Sequence, residues 1–376
     1  MTAPLRTLHV DTERTWRGGE QQALYLACGL RDRGHLAEVV GHPGSAFAER
    51  AREAGLTVHE QPLRGELNPA AILRIARLLR AGRFQIIHAH TSHAHTLAAL
   101  AAALVKGVRC VVSRRVDFAV GKRALSLGRL KYRALAHRYL AISACVRQVL
   151  IDGGVPPEKI SVVPSGIDPA RLLCADPEPL RREFGLEPDT QVVGAVAHFA
   201  WHKGLEVLID AMPAILSERP GTRFLLVGDG ELREPLEARA RALVPRSAVS
   251  FPGFRKDAPS FLRLFDVVAS PSVMEGLNTT NLDALALSRP VVASRVGGIP
   301  EAIIHRETGL LVPPEDPPAL AQAILELLRD RELAATLGRQ GKSLIERRFT
   351  TDCMVEGTLS AYAEVLRGVT RRARPR

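Results

Sequence analysis

Apolar residues recur along this chain in two rhythms. Over 18–34 (GGEQQALYLACGLRDRG), 45–55 (SAFAERAREAG), 69–82 (PAAILRIARLLRAG) and 95–107 (HTLAALAAALVKG) they return every three or four positions, which predicts amphipathic or buried helices. The segments 6–11 (RTLHVD), 36–42 (LAEVVGH), 56–62 (LTVHEQP), 84–90 (FQIIHAH) and 109–115 (RCVVSRR) are short runs rich in β-branched residues, and these predict strands. Strand and helix take turns, which is the signature of a parallel sheet covered on both faces.

A Pro- and Gly-rich stretch, 154–179 (GVPPEKISVVPSGIDPARLLCADPEP), interrupts the alternation around one short predicted strand, as expected of a join between domains. The alternation then restarts. Strands are predicted at 191–199, 222–230, 249–254, 266–272, 290–294 and 308–314, with helices between them and two more at the C-terminal end. The fold class is therefore α/β, with two doubly wound Rossmann-like domains expected to face each other across a ligand-binding cleft. The expected divisions are 1–168, 169–350, and a C-terminal helix and basic tail at 351–376 that packs back on the first domain.

Composition narrows the class. With 376 residues, 46% hydrophobic and 24% charged, the chain has enough length for two cores. The longest apolar run, 97–105, is far short of the roughly 20 residues of a membrane span. No signal peptide is evident in MTAPLRTLHVD. Five scattered cysteines without CxxC spacing suit a reducing cytoplasm and give no zinc site.

The net charge of +11 lies wholly in the first half: residues 1–170 carry 24 basic and 13 acidic side chains, and the remainder carries 27 of each. Within it, 106–147 holds 11 basic residues and one acid, Asp117. Such a segment attracts anions, whether a phosphorylated substrate, an anionic lipid surface or nucleic acid, or else it is simply a solvated face.

Neither half opens with G-x-G-x-x-G, and GxxxxGK[ST] is absent, which argues against a nicotinamide cofactor and against P-loop chemistry. Four histidines, His88, His90, His93 and His95, crowd IIHAHTSHAH, but they alternate at a strand end without nearby Cys or acid, and no metal site is expected. The stretch EGLNTTNLDALAL places Glu275 and Asp283 eight positions apart across the start of a helix. Such a helix start is an anion site. Thr280-x-x-Asp283 also fits a capping box, so Asp283 has a purely structural reading as well.

Seven segments in order, RGGEQQALYLACGLRDRGHLAEVV, IIHAH, AISACVRQVLIDGGVPPEKISVVPSGID, HKGLEVLIDAM, FLLVGDGEL, EGLNTTNLDALALSRPVVASRVGGIPE and TGLLVPPEDPPALAQAI, resemble the retaining glycosyltransferases of family 4, also called group 1, which have the GT-B fold. The resemblance runs from about Leu5 to Tyr362.

It implies transfer of a sugar from a nucleoside diphosphate sugar without bound metal, with protein groups stabilising the leaving diphosphate. Lys203 matches the family lysine, a point charge suited to phosphate. His198 stands where the family has arginine, and carries full charge only in acid. Arg255 and Arg295 are candidates to compensate.

Glu275 matches the glutamate that touches the transferred sugar. Gly276, Leu277, Asn278 and Thr279 match the turn whose amides meet the phosphates, with Asn278 replacing a glycine. Asp283 matches the acid on the ribose. Gly228 and Phe254 fall in the donor-binding loops, and base selectivity is expected from backbone near Gly253 to Arg255.

In the first half, Gly18 and Gly19 match the loop whose backbone approaches the donor phosphate, and His90 lies on the acceptor side. Arg115 stands where many relatives have a catalytic histidine, with Arg114 beside it, and the pair alternatively binds an acceptor phosphate. The implied partners are a UDP- or GDP-sugar, a saccharide or lipid-linked acceptor of a bacterial cell envelope, and an anionic inner membrane face, but not nucleic acid. The rival readings are a nucleotide-sugar epimerase or phosphorylase on the same fold, and a non-catalytic sugar- or nucleic-acid-binding protein.

Overall fold

The computed structural model describes residues 4–119 and 127–372, so part of the basic segment 106–147 and the end of the basic tail lie outside the described residues. Two compact units emerge: residues 1–166 with 351–376, and residues 167–350.

In the first unit the chain runs β1 (Arg6–Val10), α1 (Gly18–Asp32), β2 (Leu36–Gly41), α2 (Ala46–Glu53), β3 (Thr57–Glu60), α3 (Pro69–Ala81), β4 (Ile86–Ala89) and α4 (Ser92–Ala103). It continues through β5 (Arg109–Arg114), α5 (Leu127–Ala134), β6 (Arg138–Ala141), α6 (Ala144–Asp152) and β7 (Ile160–Val162). The strands form one sheet in the order β3-β2-β1-β4-β5-β6-β7, and each recorded pairing is parallel.

The second unit contains α7 (Pro169–Leu173), α8 (Glu178–Glu183), β8 (Val192–Val196), α9 (Leu205–Glu218), β9 (Arg223–Val227), α10 (Arg233–Leu243) and β10 (Val249–Gly253). Then come α11 (Ala258–Leu264), β11 (Val267–Ser270), α12 (Thr279–Ala286), β12 (Val291–Ser294), β13 (Leu310–Val312), α13 (Pro317–Arg329) and α14 (Arg331–Arg348). Its six strands are ordered β10-β9-β8-β11-β12-β13, again parallel. In both sheets the strand order reverses beside the first strand of the unit, which is where ligands bind in doubly wound sheets.

Burial on both faces explains the strand runs. Thr7, Leu8, His9 and Val10 are all fully buried, and so are Val291, Val292 and Ala293. Helix starts follow local chemistry: Ser45, Asn68, Thr91, Ser143 and Asp316 each accept a backbone N–H of the first turn, and Pro69 and Pro317 open α3 and α13.

The last helix, α15 (Thr351–Arg372), belongs to the first unit. It packs on α1, where Val355 and Tyr362 join Leu26 and Leu30 in one core. Gly29 permits that contact, since a Cβ there would lie 2.6 Å from Val355 Cγ2.

The structure adds elements that the periodicity did not predict. β6 is four residues long, in KYRALAHRYLAIS, and α5 and α6 flank it without a Gly or Pro to separate them. Three helices rather than two close the chain, because α14 and α15 are separated only by Phe349 and Thr350.

Candidate functional site

In the second unit, several candidate residues converge at the carboxyl ends of β8, β9 and β11. Lys203 ends a 3₁₀ turn (Trp201–Lys203), and Gly204 follows in the left-handed region at φ 60°. Gly204 is required there, because a Cβ would sit 2.2 Å from the Pro271 carbonyl oxygen. The loop after β11 is tied to the same turn, with the Val273 N–H donating to His202 O at 2.9 Å. These contacts bring Lys203 Nζ onto Glu275 Oε2 in a close ion pair between side chains only 19% and 14% exposed. The loop after β12 supports it as well, with Gly298 N donating to Glu275 O at 3.0 Å.

Asn278 begins α12 at φ 64°, a region Asn tolerates better than most residues. Its Oδ1 accepts the N–H groups of Thr280 (3.1 Å) and Asn281 (3.3 Å), and its Nδ2 donates to Ser270 Oγ at 3.0 Å. The capping-box reading of Thr280 and Asp283 is thereby overturned. Asn278 is the N-cap, and Asp283 lies past the first turn. Among the described residues, the backbone N–H groups of Gly276, Leu277, Asn278 and Thr279 have no recorded acceptor. The helix start thus offers an ammonium and a row of amide donors together, although two further amides are taken by the Asn278 side chain.

Asp283 is held differently from the expectation. Its Oδ2 accepts from Arg171 Nη2 of α7 at 2.6 Å, while its Oδ1 is buried without a partner. Burial raises its carboxyl above the ordinary value, and the charge of Arg171 and its hydrogen bond oppose that rise.

His198 lies 3.3 Å from Glu231 and is about half exposed. The loops after β8 and β9 interlock, because a Cβ on Gly228, at φ 139°, would meet Ala197 O at 1.8 Å. Gly228 N donates to Gly253 O at 2.9 Å. Phe254 next to it is 70% exposed.

Arg255 requires a correction. Both of its terminal nitrogens lie on Glu183, at 2.6 and 3.0 Å, and it also donates twice to Asp257, at 2.9 Å each. Those carboxylates raise its pKa, Asp257 most strongly, and satisfy the guanidinium internally, so in this structure its charge is paired and not presented in place of the arginine replaced by His198. Arg295 follows β12 with an exposed side chain.

In the first unit, Gly18 and Gly19 open α1 at the carboxyl end of β1. Among the described residues, a Cβ on Gly19 would meet nothing within 4 Å. Arg115 donates from Nη1 to His90 O (3.3 Å) and lies with Nη2 against His90 Nδ1 (3.1 Å). Burial lowers its guanidinium to about 10, against the pull of Asp11 and Glu20.

Arg114 is not a neighbour of the same kind. It is buried and donates to Val116 O, Tyr132 OH and Phe118 O, so it shapes the loop after β5 and is not presented with Arg115 as a phosphate-binding pair.

The histidines form a packed network. His9 Nδ1 meets His90 Nε2 at 3.0 Å, His9 Nε2 meets Thr7 Oγ1 at 3.0 Å, and His88 lies between Tyr362 OH (2.6 Å) and Ser113 Oγ (2.9 Å). Ligand atoms of His9, His88 and His90 come within 4.8 Å of one another, yet each ring nitrogen already has a hydrogen-bond partner and a guanidinium adjoins His90. Burial lowers the pKa values of all three rings, to about 3 for His9, which keeps them neutral.

Asp11 is a residue that sequence reasoning missed. It is 1% exposed at the end of β1, with Oδ1 accepting from Glu13 N at 2.8 Å and Oδ2 unpartnered. Burial pushes its carboxyl up to about 7. Only its place directly after a buried strand signalled it.

Residues 16–171 match the family described as glycosyltransferase family 4, and residues 190–330 match glycosyl transferases group 1. A D-inositol 3-phosphate glycosyltransferase from Acidothermus cellulolyticus is 32% identical over 329 residues, which is 79% of this chain and 71% of that one. The chain belongs to the family 4 glycosyltransferases.

A GDP-mannose-dependent alpha-(1-6)-phosphatidylinositol monomannoside mannosyltransferase of Mycobacterium tuberculosis H37Rv is 28% identical over 86% of each chain. Two other relatives, a D-inositol 3-phosphate glycosyltransferase of Segniliparus rotundus and an uncharacterized glycosyltransferase of Methanocaldococcus jannaschii, are matched over only about half their length, 48% and 54%. Among solved structures, Anabaena Alr3699/HepE in complex with UDP matches with a TM-score of 0.85 at 23% identity, over 96% of this chain and 100% of that one. This family member therefore has the GT-B type of two-unit α/β fold.

Proposed function

We propose that this chain transfers a sugar from a nucleoside diphosphate sugar to a saccharide or lipid-linked acceptor, with retention of anomeric configuration and without a bound metal. The observation that carries the reading is the pairing of Lys203 with Glu275 beside the unpartnered amides of Gly276 to Thr279. When a donor binds, Lys203 exchanges Glu275 for the diphosphate, and the amides at the start of α12 receive the charge that develops on the leaving phosphate. Glu275, released, accepts hydroxyls of the transferred sugar, and Asp283 accepts from the ribose.

The bond from the anomeric carbon to the phosphate oxygen breaks, and the acceptor oxygen bonds to the same face of the sugar. The acceptor proton passes to the departing phosphate, so no separate general base is required. Gly18 and Gly19 give backbone access to the donor phosphate, and Arg115, held by His90, faces the acceptor.

Relatives named for inositol 3-phosphate and phosphatidylinositol acceptors support an acceptor that carries phosphate. The basic excess of residues 1–170 suits that charge and an anionic inner membrane face. Among the described residues no helix is long and apolar enough to cross a membrane. A role in building the cell envelope from the cytoplasmic side follows from this reading.

A thermal-shift screen of UDP-, GDP- and ADP-sugars tests it. A donor at 100 times its Kd stabilises by about 2.7 kcal/mol, a shift of roughly 5–10 °C for a unit of this size. No shift with any donor would sink the proposal. Product formed from donor alone, without acceptor, would point to an epimerase instead.

A further inference from the structure

Arg171 lies in none of the segments read as donor-binding, yet it is the cation recorded as acting on the acid proposed for the ribose. It projects from α7, a helix placed by Asp168, whose Oδ1 accepts Ala170 N at 2.9 Å, and by the buried Leu172. From there it spans 112 positions of sequence to reach Asp283 Oδ2 at 2.6 Å.

Three observations define what this contact does. Asp283 is largely enclosed, its side chain 15% exposed, so its charge requires a counter-charge. Its other oxygen, Oδ1, is buried without a donor, so only Oδ2 orients the carboxylate. Arg171 is more open, at 38%, and meets the carboxylate through one N–H, from Nη2 to Oδ2, a charge-assisted hydrogen bond that sets the direction of that oxygen. A carboxylate oxygen with one donor retains a second lone pair for a ligand hydroxyl.

We propose that Arg171 is a positioning residue for nucleotide recognition, holding Asp283 charged and in one orientation so that it accepts a hydrogen bond from the ribose of the nucleoside diphosphate. The inference rests on the reading of Asp283 as the ribose acid. It assigns the first turn after the chain enters the second unit to the nucleotide site, since α7 packs on α12 and, among the described residues, Arg171 is the side chain that holds Asp283.

The test measures binding of UDP, GDP and ADP to the full chain, each against its 2′,3′-dideoxy form, by titration calorimetry. The wild type binds the ribonucleotide about tenfold or more tightly than the dideoxy form, the discrimination expected of a hydrogen bond to a charged group. Arg171→Ala abolishes that ratio while leaving the affinity for the dideoxy form within about threefold, because the diphosphate contacts are untouched. Arg171→Lys retains part of the ratio, and Arg171→Gln does not. If Arg171→Ala fails to fold, the Lys and Gln variants carry the comparison.

A ratio unchanged in Arg171→Ala or Arg171→Gln but lost in Asp283→Ala overturns the role of Arg171 and leaves Asp283 as the ribose acid. No discrimination in the wild type overturns the reading of Asp283, and the inference with it. Binding of none of the three nucleotides overturns both.

Discussion

Glu275→Gln separates the two tasks assigned to the Lys203–Glu275 pair. In the free protein the two side chains, 19% and 14% exposed, neutralise each other, so an incoming diphosphate must displace Glu275 from Lys203. At about 4 Å between charge centres and an effective dielectric of about 20, that attraction is roughly 4 kcal/mol. Hydration of the freed groups and the entropy of two pinned side chains offset most of it, leaving a net competition of about 1–2 kcal/mol. Glutamine keeps the shape and removes the charge.

The nucleoside diphosphate product should therefore bind about 5- to 30-fold more tightly to Glu275→Gln than to the wild type. Sugar transfer should fall by about 100-fold or more, because an acceptor for the sugar hydroxyls is lost in the transition state. Calorimetry with UDP, GDP or ADP and single-turnover transfer give the two numbers on one variant, and they should move in opposite directions. Weaker diphosphate binding, or transfer at the wild-type rate, would refute the reasoning.

Three further outcomes follow from the same geometry. Gly228→Ala places a Cβ 1.8 Å from Ala197 O at φ 139° and should cost about 3 kcal/mol or more, lowering Tm by roughly 6–12 °C, whereas Gly19→Ala, with nothing within 4 Å, should leave Tm nearly unchanged and weaken donor binding. A matched melt and donor titration of both variants checks the contrast.

Asn278→Ala loses both the cap and the residue type suited to φ 64°, and should cost about 1–2 kcal/mol; Asn278→Gly should cost about 0.5 kcal/mol or less and bind phosphate more tightly, by freeing the amides of Thr280 and Asn281. Equal losses in the two variants would contradict this account of the cap. Asp11, raised from 3.8 to about 7 by burial, holds its proton in the folded state while the unfolded state releases it. Its contribution to stability is therefore lost as pH rises from about 4 to 7, by up to about 1.4 kcal/mol per unit. The gain in stability from Asp11→Asn should grow over that window in denaturant melts, and a gain independent of pH would show that burial is not the cause.

Much was legible in the order of residues alone. A parallel strand buried on both faces needs a run such as VVAS, and a helix covering it needs apolar residues every three or four positions, so both sheets were visible as local patterns. The helix start at Thr279 was visible too, in the turn of small residues after Glu275 and before an apolar run. Four-residue β6 was not, because without turn residues around it no periodicity separates it from α5 and α6.

Tertiary structure alone decided which charges meet. Lys203 and Glu275 are 72 positions apart, Arg171 and Asp283 are 112 apart, and Arg255 reaches Glu183 across 72. No local spacing encodes such partners, since a guanidinium has the same letter whether it waits for a phosphate or is already held by two carboxylates. The sequence determined that two Rossmann-like units form and that an acid and a turn of small residues precede the start of α12. Packing determined that Arg114 and Arg255 are satisfied internally, that burial raises the carboxyl of Asp11, and that Arg171 stands behind Asp283, because those outcomes depend on burial and on distances that only the folded chain sets.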